Sequence, residues 1–212
     1  MTVDAVVKLG GSLLSDARMK EWLDALGSMA ERHRLVVVPG GGPFADAVRE
    51  ASARHHPGTG AAHWMAILAM DQHAHLLCGL SDSSRLVRAP PEVEEAVTAG
   101  ELAVLAPYAW LREADPLPHG WHVTSDSLAA WVAARLGAKL LVLLKSVEGV
   151  SDGQGEVLPE VDRRSPELVG IVDEHFALAL EPGFDCWILS GRHPERLAAL
   201  LSEGRTRGTR VR

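Results

Sequence analysis

Twice near its N-terminus the chain runs through aliphatic residues straight into glycines: VVKLGGSLL starts at Val6 and LVVVPGGGPFAD at Leu35. Each aliphatic run reads as a strand buried on both faces, and each glycine cluster lets the backbone turn sharply into a segment of helical composition. A strand, helix, strand, helix opening implies parallel strands, because each helix carries the chain back to where the next strand must start.

The alternation is expected to continue. Strands are predicted at 3–9, 35–39, 84–88, 102–106, 139–145 and 185–189, and helices at 16–32, 43–55, 60–79, 91–99, 125–136, 165–179 and 194–202. Pro43 suits the first turn of its helix, where a missing N–H costs nothing. The run KLLVLLK at 139–145 has the composition of a strand covered by helices on both sides. This is an α/β pattern, a three-layer αβα sandwich with a mostly parallel central sheet, in one domain spanning 1–212. The proline-rich stretch 107–118 reads as a loop, and the terminal EGRTRGTRVR as a frayed, solvated tail.

Composition excludes several classes of partner. The 212 residues are 47% hydrophobic, enough for one substantial core, and the net charge of −7 comes with no basic stripe. Nucleic acid is not expected as a partner. Neither a secretory leader nor an apolar stretch of about 18 residues is evident, so export and membrane spanning are not expected. The two cysteines, Cys78 and Cys186, are too few for a disulfide framework and fit a reduced cytoplasm.

In a parallel sheet, ligands gather at the carboxyl ends of the strands, and both glycine clusters lie there. Gly10 and Gly11, and then Gly40, Gly41 and Gly42, can present backbone N–H groups to an anion, the second set ahead of a helix N-terminus, while Lys8 adds a full positive charge. Taken singly, each cluster reads equally as a tight strand-to-helix turn, and Lys8 as an edge lysine. The lysine precedes its glycines, so this is not a G-x-x-x-x-G-K-[ST] loop, and neither cluster completes G-x-G-x-x-G.

The segment LPHGWHVTSDSLAAWVAARLGAKLLVLLKSVEGV, 117–150, supplies the other polar candidates. Ser125 is a natural N-cap, Asp126 sits in the first helical turn, Gly137 stops the helix and Lys145 ends the next strand. Asp126 has a plain reading as a carboxylate favoured by the helix dipole. His73 and His75 lie two apart on a helix and point to different faces, so they are not a metal pair. Asp71 is either a helix-surface carboxylate or the partner of a cationic group on a ligand. His119 and His122 either pack in their loop or contact a ligand, and Trp64, Trp110, Trp131 and Trp187 read as core or interface residues.

These segments, together with WILSGRHPERLAALL and GTRV near the C-terminus, occur in the order found in the amino-acid kinase family, which the chain resembles across nearly its full length. Within that family, LPHGWHVTSDS with LLKSVEG is most similar to the kinases that phosphorylate [5-(aminomethyl)furan-3-yl]methyl phosphate in methanofuran biosynthesis. The resemblance implies an ATP-dependent phosphotransferase, cytoplasmic and homo-oligomeric, with an acceptor-binding part at roughly 1–120 and a nucleotide-binding part at 121–212. It implies that Lys8 bridges the transferred phosphoryl group and the nucleotide phosphates. Gly10, Gly11 and Ser12, with Ser146 and Gly149, would cradle the nucleotide, and Asp126 would hold the lysine in place. Gly40, Gly41, Gly42, Asp71, His119, Trp121 and Ser125 would meet the acceptor.

The chain departs from most relatives in having Lys145-Ser146 where they have Thr-Asp, so the second positive charge comes from Lys145 or from Arg192. Mg²⁺ is expected to ride on phosphate oxygens and water, with no metal ligands from the protein. A phosphate monoester acceptor needs no general base, because its oxygen is already anionic. The alternatives are a kinase of another small carboxylate or phosphorylated metabolite, and a family member that binds nucleotide or anion without turnover.

Overall fold

A computed structural model of the chain describes residues 3–11, 13 and 19–212. Eight strands form one sheet: β1 (Ala5–Leu9), β2 (Leu35–Pro39), β3 (Ser84–Val87), β4 (Leu102–Leu105), β5 (Leu140–Lys145), β6 (Glu160–Val161), β7 (Asp185–Ser190) and β8 (Thr209–Val211). Their spatial order is β3-β4-β2-β1-β5-β7-β8-β6, and every named pairing is parallel except β7 with β8. β1 is central, flanked by β2 and β5. The chain fills one side of β1 first and the other side afterwards, so the strand order reverses at the β1/β5 boundary, where a crevice opens at the carboxyl ends.

Helices α1 (Met19–Ala30), α2 (Gly42–His55), α3 (Thr59–Gly79), α4 (Pro90–Thr98), α5 (Tyr108–Ala114), α6 (Ser125–Arg135), α7 (Phe176–Ala179) and α8 (Pro194–Glu203) complete the layers. Alternation along each strand divides the apolar residues between two cores. Ala5, Val7 and Leu9 of β1 join Trp22 and Leu26 of α1 and Leu197 of α8 on one face. Val6 joins Leu128 and Val132 of α6 on the other. Lys8 has the same parity as Val6, and Lys145 the same parity as Leu141 and Leu143, so both lysines are directed to the α6 side.

Four local expectations are corrected. The proline-rich stretch contains α5, which starts after Pro107 because the carboxylate of Asp71 accepts the Tyr108 N–H at 2.9 Å, and which is held by Trp110 packing on Trp131 at 4.9 Å. A proline at a helix entrance is compatible with helix. The helix expected at 165–179 is broken into a 3-10 turn, Pro166–Leu168, and the short α7, with Gly170 at φ +79° between them. The terminal arginine-rich segment is ordered as β8: Arg210 pairs with Asp185 and Arg212 with Glu160, so neighbouring carboxylates satisfy the charges that suggested a solvated tail. The N-cap of α6 is Thr124, and Ser125 is its first helical residue. β6, only two residues long, had no legible pattern.

Candidate active site

The two glycine turns pack directly on each other. A Cβ placed on Gly11 would lie 2.4 Å from the backbone nitrogen of Gly42, and one on Gly40 would lie 2.9 Å from the nitrogen of Gly11. Gly42 adopts φ +51°, a conformation open to glycine at little cost. Beneath them, the buried imidazole of His73 on α3 bonds through Nδ1 to the Gly40 carbonyl, and burial depresses its pKa, holding it neutral as a strut for the turn. His73 was a helix histidine without a role in the sequence, because nothing local reveals a partner 33 residues away.

Over these turns stands the first turn of α6. Asp126 is 3% exposed and faces two lysines: Oδ1 lies 3.0 Å from Lys8 Nζ, and Oδ2 accepts a hydrogen bond from Lys145 Nζ at 2.6 Å. Burial works to raise the Asp126 pKa, but the two ammonium groups outweigh it and hold the carboxyl below the usual range. Lys145 is pushed down to about 8, first by burial and then by the Lys8 charge, with Asp126 opposing both. Two cations sharing one anion leave an excess positive charge in a largely dehydrated place, which suits a site that receives polyanions. Lys145 shares the Asp126 carboxylate with Lys8, while Arg192 lies on the turn after β7.

A cleft of about 390 Å³ joins these elements. Its floor carries Lys8, Lys145, Asp126 and Gly11, and one wall is Gly40, Gly41 and Gly42 at the N-terminus of α2. Ser125 and the buried His63 border it, and its exposed mouth is lined by Asp46, Arg49 and Trp121, with the Arg49 guanidinium paired with Asp46 and 5.2 Å from the centre of the Trp121 ring. His119 stands behind the lining, stacked on His63 at 4.6 Å and hydrogen-bonded to Asp115.

Other expected site residues have different surroundings. Asp71 lies away from the cleft lining, its carboxylate turned to α5. The Gly10 N–H is committed to the Leu144 carbonyl and the Gly40 N–H to the Leu9 carbonyl, which leaves neither glycine an N–H to offer an anion. Gly149 is required by packing, since a Cβ there would meet Val157 and Thr209 side chains at 2.7 and 2.8 Å. Ser146 is exposed at the end of β5, and Ser12 lies outside the described residues. Glu148, in the turn after β5, and Ser190, at the end of β7, are hydrogen-bonded to each other, with Arg196 on the second oxygen of Glu148.

A sequence model described as the amino acid kinase family matches residues 5–174. The chain belongs to the amino acid kinase family. It is thus a kinase that draws its phosphoryl group from ATP, and the lysine-aspartate-lysine cluster lies inside the matched region. This kinase is 29% identical over 204 residues to the [5-(aminomethyl)furan-3-yl]methyl phosphate kinase of Methanocaldococcus jannaschii, with 92% of each chain covered. It is 27% identical to the acetylglutamate kinase of Sodalis glossinidius, over 97% of this chain and 98% of the other. Its fold matches that of the uridylate kinase of Archaeoglobus fulgidus with a TM-score of 0.78 at 21% identity, over 99% of this chain and 100% of that one.

Among the described residues no group of three or more His, Cys, Asp or Glu could hold a metal, and Asp126 is already engaged by two lysines. This donor set fits a Mg²⁺ ligated by phosphate oxygens and water.

The kinase's glycine contact gives a direct test. Gly11→Ala would push a methyl group against the Gly42 backbone, which has no rotamer with which to yield. The variant is expected to lose about 1–3 kcal/mol of stability in urea titration through overpacking. Its kcat/KM should fall about ten- to hundredfold, because the two turns move apart by a sizeable fraction of an ångström. Wild-type values for both would show that the contact has no bearing on the site.

Proposed function

We propose that this kinase transfers the γ-phosphoryl group of ATP to a small phosphate monoester, (5-(aminomethyl)furan-3-yl)methyl phosphate, giving the diphosphate used in making a methanofuran-type cofactor. The similarity to the M. jannaschii enzyme over nine-tenths of both chains supports the acceptor. The observation that carries the reading is the two-ended cleft: backbone N–H groups of the glycine turns beside Lys8 at the inner end, and an exposed indole with an acidic and a basic side chain at the mouth.

The acceptor's phosphate lies at the N–H groups of Gly41 and Gly42, on the positive end of the α2 dipole, with Gly40 shaping the turn beneath them. Its furan ring rests on Trp121, and Ser125 lines the way between. Asp46, which lines the mouth, takes the ammonium group in place of Asp71. His119 acts through His63 as backing for that wall. The nucleotide lies across the carboxyl ends of β5 and β7, where Ser146 is exposed, so residues 1–120 serve mainly the acceptor and 121–212 mainly ATP.

An acceptor phosphate oxygen forms the new P–O bond as the bond from the γ-phosphorus to the ADP oxygen breaks. No proton need leave the nucleophile, since a phosphate monoester is anionic near neutral pH. The obstacle is repulsion between anions, about 4 kcal/mol for unit charges 4 Å apart at an effective dielectric near 20. Lys8 bridges donor and acceptor, and Lys145 neutralises the donor side. Mg²⁺, when bound, supplies further neutralisation of the nucleotide phosphates.

Steady-state ADP release should therefore favour the furan phosphate over acetylglutamate, glutamate, aspartate and UMP by at least about a hundredfold in kcat/KM. Asp46→Asn should raise the KM for the acceptor and leave that for ATP. Efficient turnover of a carboxylate or of UMP with the furan phosphate inert would overturn the acceptor assignment and leave the kinase standing.

A further inference from the structure

Thr124 is the N-cap of α6, yet its hydroxyl does not cap the helix. That role falls to a carboxylate from far along the chain. Asp173 Oδ2 accepts the Thr124 N–H at 3.0 Å, the Thr124 hydroxyl at 2.8 Å and the Ser127 N–H at 3.0 Å, while Oδ1 accepts the Ser127 hydroxyl at 2.5 Å. Oδ1 also takes the N–H of His175, two residues on, and that same N–H is shared with the His122 carbonyl, which ties the Asp173 loop to the chain just ahead of α6.

A serine or threonine cap satisfies one N–H of a first turn. Asp173 satisfies two, adds two hydroxyls and places a full negative charge at the positive end of the helix dipole. The residues it grips, Thr124 and Ser127, bracket Asp126. With the backbone on both sides of Asp126 held, the carboxylate starts from a fixed point, and its ion pairs with the two ammonium groups select the inward rotamer.

We propose that Asp173 is a positioning residue for phosphoryl transfer: by clamping the first turn of α6 it holds Asp126 where one carboxylate can keep Lys8 and Lys145 together. The proposal rests on the reading that these three residues form the reaction centre. Asp173 has a second, electrostatic effect on the same group. The charges acting on Lys145 are Lys8 from β1, Asp126 from α6 and Asp173, and Asp173 favours the protonated form. Removing its charge must therefore lower the Lys145 pKa further.

Asp173→Asn keeps the shape and part of the capping but no charge, and Asp173→Ala keeps neither. Turnover should fall about tenfold in the first and about a hundredfold in the second, the scale of a misplacement near 1 Å. The KM for ATP should stay within about twofold of wild type. In protein labelled with ¹³C-lysine, the NMR titration midpoint of Lys145 should be lower in Asp173→Asn than in the wild type. Asp173→Ala lacks the same charge but also loosens the turn, so it should move the midpoint further than Asp173→Asn does; equal shifts in the two would mean that the charge alone acts. Should Asp173→Ala fail to fold, Asp173→Asn decides alone: wild-type kcat overturns the proposal, whatever the midpoint does. An inactive Asp126→Asn beside a fully active Asp173→Asn would refute positioning and keep the reaction centre, whereas a fully active Asp126→Asn would refute the reaction centre itself.

Discussion

Lys8→Ala is expected to lower kcat by at least about a hundred- to thousandfold while the protein stays folded. Loss of a single preorganised donor to developing charge already has that effect in other enzymes, and Lys8 offers a full charge in a site largely closed to water. The fold should survive for an electrostatic reason. With Lys8 gone, Asp126 and Lys145 remain as a neutral pair at 2.6 Å, and the like charge that helps to depress Lys145 is removed. The Lys145 pKa should accordingly rise. Lys8→Arg should not rescue activity, because a planar fork replaces a compact ammonium at a position only 5% exposed. The measurements are kcat at saturating ATP and acceptor, with far-UV circular dichroism and a thermal melt to establish folding. A folded Lys8→Ala enzyme retaining more than about a tenth of wild-type kcat would place the reaction centre elsewhere.

Strands β1, β2 and β5 were legible because residues buried on both faces leave an unbroken apolar run, and β2 spans Leu35–Pro39 as the sequence predicts. The lysines and Asp126 were legible as candidates, although spacing alone offered each of them a plain structural role. Their meeting at one carboxylate follows from register: β1 and β5 pair so that Lys8 and Lys145 extend the same face, beneath the N-terminus of α6. Sequence reasoning failed where a local signal was overridden by a distant partner. Pro107 suggested a loop, but Asp71 caps the helix that follows. Arginines at the C-terminus suggested solvent, but carboxylates of β6 and β7 wait for them. Asp173 was passed over inside a segment read as helix, since a carboxylate that caps another helix 46 to 49 residues back leaves no periodic trace. His73 and Asp71 show the same limit from opposite sides: the apparently idle histidine supports the glycine turn, and the candidate ligand caps a helix.

Asp126→Ala should produce the largest loss of stability of any change in the site, roughly 3–5 kcal/mol at neutral pH, because it leaves two buried ammonium groups facing each other with no counter-ion. The pH dependence identifies the cause. In the wild type Lys145 has a folded pKa of about 8, below its ordinary value of 10.5. Between those values the unfolded chain binds more protons than the folded one, so this lysine makes stability rise with pH across that window. In the variant the carboxylate that raises the Lys145 pKa is gone, the folded pKa drops further, and the rise begins at lower pH. The deficit relative to wild type should therefore narrow as pH is taken from about 6 towards 8. The carboxyl gives the same slope in its own, acid window but the opposite contribution at neutral pH: its depressed folded pKa stabilises the wild type above the ordinary aspartate range, and that stabilisation disappears in acid as the group protonates. Urea titrations of both proteins across this range measure the difference directly. Equal stability at neutral pH, or a deficit that widens as pH rises, would mean that the two lysines do not depend on Asp126 for their charge balance.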